Sequence, residues 1–105
     1  MPTRTPRMEQ IESLLADDPV DAFLRYGLAM EHASAGDDDA AAEHLLRLIG
    51  DTPYVPAYLM AGQILNRLNR VDEAVAVLRG GIAAAKEQGN AHAEGEMAGL
   101  LASIE

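Results

Sequence analysis

An all-α chain of about six antiparallel helices, arranged as a stack of hairpins, is predicted by three features of the sequence. Apolar residues recur at helical spacing, as where Tyr58, Ala61, Gly62 and Leu65 fall at i, i+3, i+4 and i+7. Hydrophobic content is 49% with only 4% aromatic, a balance that suits helices packed through small side chains. The third feature is recurrence. Phe23, Tyr26, Gly27 and Met30 repeat the pattern of Tyr58, Ala61, Gly62 and Leu65 at a displacement of 35 positions. Ala41, Leu45 and Leu48 anticipate Ala74, Leu78 and Gly81 by 33, and Ile11, Leu14 and Pro19 anticipate Leu45, Leu48 and Pro53 by 34.

Taken in order, residues 1–7 hold two Pro and two Thr and read as a loose tail. A short helix is expected from about Met8 to Ala16, with Met8, Ile11, Leu14 and Leu15 on its apolar side and Asp17-Asp18-Pro19 as its stop. By repeat phase it is the second helix of a unit that lacks its first, so it is expected to cap the stack. The next helix spans Val20 to Ala35, with Phe23, Tyr26, Gly27 and Met30 inward, Asp21, Arg25, Glu31 and His32 more exposed, and Leu24 and Leu28 off the inward stripe. Gly36 is a stop, and Asp37, Asp38 and Asp39 fall where a helix N-terminus favours negative charge, by about 0.3 to 1 kcal/mol each. That helix runs to about Ile49, and residues 50–53 turn into the following unit.

There Tyr58, Ala61, Gly62 and Leu65 form one stripe, and Ala57, Met60, Ile64 and Leu68 a second beside it. A helix apolar over so much of its circumference is packed on two sides. Gly62, in mid-helix, costs about 1 kcal/mol relative to Ala, which a close helix contact would offset. Asn69 can take the left-handed conformation that ends a helix. A second helix follows from Val71, with Val71, Ala74, Val75, Leu78, Ile82 and Ala85 on one stripe. Residues 88–90 end it, and a last helix from Ala91 to Ile104 turns Met97, Leu100, Leu101 and Ile104 inward, leaving His92, Glu96, Gly99 and Ser103 outside.

A large residue, an apolar one, Gly, a second large residue, then Ala and a large apolar residue, repeated at about 34 positions, resembles the tetratricopeptide repeat. Tyr58, Ala61, Gly62, Leu65, Ala74 and Leu78 match it with the family's spacing. Gly27 to Ala41 is two positions longer, which assigns two extra residues to the turn at 36–39. Lys86 stands where Pro is usual. The resemblance covers roughly Met8 to Lys86 and implies one domain forming a right-handed solenoid: a half repeat at 8–18, repeats at 20–53 and 54–88, and a capping helix at 90–105.

The family resemblance also implies a concave groove lined by the first helix of each unit, binding a partner peptide or helix. Carried onto this sequence, its lining is Leu24, Leu28, Glu31 and His32 in the first unit and Leu59, Gln63, Asn66 and Arg67 in the second. The chaperone-binding branch grips a C-terminal carboxylate with Lys, Asn and Arg, and Leu24 and Leu28 replace the first of these. An apolar peptide or helix suits these leucines better. Alternatively they are covered by the protein's own capping helices or by a second copy, which would make the chain a homodimeric self-assembly module.

Other functions find little support in the residues. A net charge of −9 disfavours nucleic-acid binding, which draws on clustered Lys and Arg. The acidity reads first as a solubility feature and second as a preference for basic partners. No stretch is long or apolar enough to span a membrane, residues 1–12 do not read as a signal peptide, and there is no Cys, so a soluble cytoplasmic protein is expected. His32, His44 and His92 read as surface histidines without metal spacing, and Asp37 to Asp39 as a helix cap rather than a calcium loop. Neither catalytic residues nor a cofactor or metal is expected.

Overall fold

The computed structural model describes residues 4–105, and every described element is helical. The chain forms two compact units, Met1–Thr52 and Pro53–Glu105. The first contains α1 (Pro6–Asp17), α2 (Ala22–Ser34) and α3 (Asp38–Asp51). The second contains α4 (Val55–Arg67), α5 (Val71–Glu87) and α6 (Ala91–Ile104).

Local chemistry explains the starts. Thr5 caps α1, its hydroxyl oxygen accepting from the Met8 amide at 3.1 Å, and Pro6 has no amide to leave unpaired. The helix therefore begins at Pro6 rather than Met8, and residues 4–7 are not a loose tail, Arg4 pairing with Glu12; the rest of that expected tail, residues 1–3, lies outside the described residues. Asp21 caps α2 by accepting from Leu24 N at 2.8 Å, and Asp37 caps α3 by accepting from Ala40 N at 3.1 Å. Asp38 and Asp39 occupy the first turn of α3, the cap role expected of that run.

Three helix ends share one device. After α2, α4 and α5, the residues Gly36, Asn69 and Gly89 take positive φ, at 85°, 63° and 70°. The amide of the residue after each one reaches back to His32, Leu65 and Ala85 carbonyls, at 2.9, 2.8 and 2.8 Å. After α2 and α4 such ends give turns of equal length. Ala22 and Val55 open the first helices, Asp38 and Val71 the second, and both pairs are 33 positions apart.

That equal spacing corrects the phase expected for α2. Ala29, fully buried and 12 positions before Ala41, stands where Gly62 stands before Ala74, and the turn at 36–39 contains no extra residues. Leu28 is inward at 5% exposure, whereas Phe23, expected inward, is 71% exposed. A Cβ built on Gly27 would meet only Ile11 Cδ1, at an ordinary 3.7 Å. The pattern Phe-x-x-Tyr-Gly matched the repeat by residue type, but the fully buried residue at the phase of Gly62 is Ala29.

In the second unit, α4 packs on α5 and α6, and α5 on α6. α4 approaches α5 tightly at Gly62, where a Cβ would lie 2.7 Å from Leu78 Cγ. Gly81 is equally tight, since its Cβ would fall 2.6 Å from Tyr58 Cβ and 2.5 Å from Met97 Sδ. Leu78 and Met97 are fully buried, and Leu100, Leu101 and Ile104 of α6 pack around them, as its apolar stripe predicted.

Candidate docking surface

In the first unit, α1 packs on α2 and α2 on α3. Met8 is 1% exposed, which seats α1, but Leu14 is 54% exposed although the periodicity places it on the apolar side. Phe23 on α2 and Val20 in the connecting turn are exposed at 71% and 77%. Between the two helices lies a cleft of about 390 Å³ lined by Arg7, Gln10, Ile11, Leu14, Phe23, Leu24 and Gly27. Its lining is mostly apolar, with Arg7 and Gln10 as the polar members. Concave, largely apolar surfaces of this size are where proteins bind other molecules.

The Arg7 end is held by a carboxylate. Glu31 accepts from the Thr5 hydroxyl at 3.3 Å and pairs with Arg7 Nε at 3.4 Å, joining the end of α2 to the start of α1. Arg25 pairs with Asp51 at 2.9 Å, joining α2 to α3.

Two histidines on α2 and α3 depart from the surface role expected of them. The rings of His32 and His44 stack with centroids 4.9 Å apart at an interplanar angle of 15°. His32 Nδ1 is buried without a hydrogen-bond partner among the described residues. At 33 positions before Leu65, His32 occupies a place that the second unit fills with a fully buried leucine, which is why it is drawn inward. Burial, then the His32 ring and Arg47, hold His44 below the ordinary imidazole pKa of 6.5, Arg25 adding to this and Glu43 opposing it. His92 does lie at the surface and pairs with Glu96 at 3.1 Å.

The residues expected to line a groove are dispersed. Leu24 lies in the α1–α2 cleft, Glu31 at its end, His32 in the ring stack, and Leu28 in the core, where it is not available to a partner. On α4, Gln63 and Arg67 are exposed, Asn66 is half-buried, and Leu59 packs against the core shared with α5 and α6. Sequence reasoning missed Arg7, Gln10, Ile11, Leu14, Phe23 and Gly27 as cleft residues. The available signal was a helix in second-helix phase with an apolar side. Among the described residues there is no cluster of His, Asp or Glu able to hold a metal, and no helix long and apolar enough to cross a membrane.

Known proteins resemble the chain in both sequence and structure. A family model described as tetratricopeptide repeat matches residues 2–55. A TPR repeat-containing protein of Pseudomonas aeruginosa is 31% identical over 99 residues, covering 93% of this chain and 94% of the relative. The crystal structure of a tetratricopeptide repeat domain protein from Salinibacter ruber superimposes with a TM-score of 0.76 at 29% identity, over 80% of this chain and 94% of that one. A solution structure of a tetratricopeptide repeat domain protein from the same organism gives 0.78 at 32% identity, over 83% and 89%.

Proposed function

The chain belongs to the tetratricopeptide repeat family, and on that premise we propose that it is a non-enzymatic protein-interaction module that docks a segment of a partner protein in the α1–α2 cleft. Domains of this family are generally protein-interaction scaffolds, built from helical hairpins that each bury an apolar face on their neighbours. The observation that carries the reading is the pair Leu14 and Phe23, two large apolar side chains left more than half exposed on either side of one cleft. Scattered apolar residues need no explanation, but a concave group of them marks a docking surface. Of the groove residues drawn from the family resemblance, Leu24 and Glu31 belong to this surface, and Gln63, Asn66 and Arg67 are proposed only as polar contacts on α4. The division into half repeat, two repeats and capping helix, with the whole forming one domain in the cytoplasm, belongs to the same proposal.

The test replaces Leu14 and Phe23 together with Glu and places a photo-crosslinking residue at Gln10. Crosslinks to a partner in the native cell are expected from the parent chain and lost from the double variant, with helicity and melting temperature unchanged. Equal crosslinking by the double variant would overturn the cleft assignment. Self-assembly is the second reading, and the same exposed Leu14 and Phe23 favour it; its product would be a crosslinked dimer of the chain.

A further inference from the structure

The second unit shows what an occupied version of this cleft looks like. There α4 packs on both α5 and α6, and its residues Val55, Tyr58 and Leu59 meet the core that these helices share. By repeat phase α1 corresponds to α5 and α2 to α6, yet no helix of the described chain stands where α4 would. The consequence is visible at one residue. Leu48, the counterpart of Leu14 at a displacement of 34, is fully buried, whereas Leu14 is 54% exposed.

Charge defines the occupant further. Residues 8–24 contain five carboxylates and neither Lys nor Arg. Glu12 is paired with Arg4 and Asp21 is used as the α2 cap, whereas Asp17 and Asp18 have no ion pair among the described residues. Both sit at the C-terminus of α1, whose last turn has no basic residue. Negative charge at the negative end of a helix dipole is unfavourable, and a cation placed there is favourable. A second copy would bring the same carboxylates and a net charge of −9, so it is a poor source of that cation.

Resting on the docking reading above, we propose that the occupant is an amphipathic α-helix of a partner protein, with apolar residues at i, i+3 and i+4 against Leu14 and Phe23. It carries Lys or Arg at the end that reaches Asp17 and Asp18. This helix takes the place beside α1 and α2 that α4 takes beside α5 and α6.

The test titrates the full chain with two synthetic peptides of roughly 18 residues, long enough to hold helical structure. Both carry one leucine face; one ends in two Lys and the other in two Glu. Binding is followed by amide chemical shifts and by calorimetry. The expected result is shifts confined to α1 and α2, with the Lys peptide bound about 3- to 10-fold more tightly at low salt, a preference that D17N/D18N removes. Equal affinity for the two peptides would overturn the basic partner. A failure of both peptides to bind would overturn the helical occupant. In either case, Gln10 crosslinks that depend on Leu14 and Phe23 would leave the docking reading standing. A concentration-dependent dimer lost in Phe23→Glu would overturn the proposal in favour of a second copy.

Discussion

Glycine separates two kinds of position in this chain. At Gly62 an added Cβ would meet Leu78, which is fully buried and would have to shift within the core. Gly62→Ala is therefore expected to destabilise by roughly 1 to 3 kcal/mol in chemical denaturation, despite the better helix propensity of Ala. Gly27→Ala meets nothing closer than 3.7 Å and is expected to stabilise by about 0.5 to 1 kcal/mol. Equal effects would contradict the phase assigned to α2. The histidine stack supplies a test in pH. His44 has a lowered pKa in the folded chain, so between that value and 6.5 the unfolded chain binds more protons. Stability is then full above about pH 6.5 and falls as pH drops through that value toward the folded pKa. His44→Gln should flatten this slope. His32→Leu, which restores the residue type of Leu65 and removes an unsatisfied buried nitrogen, should stabilise by about 1 kcal/mol.

Helices were legible where composition and geometry agree. Periodicity located all six described helices, and the close helix approach at Gly62 was readable because Gly in mid-helix needs a reason. Phase in α2 was not legible in the same way. Phe23, Tyr26 and Gly27 imitate the repeat by residue type, while the buried residues of the helix are Leu28 and Ala29, whose neighbour His32 looks polar in a string of letters. Cap chemistry carries information that periodicity lacks: Thr5 and Pro6 start α1 two residues before its first apolar position. Since Thr5 also donates to Glu31, Thr5→Val should cost about 1 kcal/mol and loosen the start of α1, measurable as faster amide exchange at Met8. Of the docking surface only Leu24 and Glu31 were foreseen. The remainder comes from α1, which in the sequence reads as a cap and in the structure leaves Leu14 uncovered.

At the scale of the chain, the two hairpins share the spacing of their helix starts and the left-handed turn between their helices, but their neighbours differ. α6 follows the second hairpin and is drawn into a core with α4 and α5, whereas α1 precedes the first with one side uncovered. The net charge of −9 works against association of copies at low salt, and the apolar cleft works for it. Which of the two prevails decides whether the cleft is open to a partner. Sedimentation equilibrium of the chain and of Phe23→Glu, over a wide concentration range at low and moderate salt, measures this directly. The account predicts a monomer for both at every concentration, with the cleft available. A stable dimer that Phe23→Glu dissociates would contradict it, because the surface assigned to a partner helix would already be occupied by a second copy of the chain.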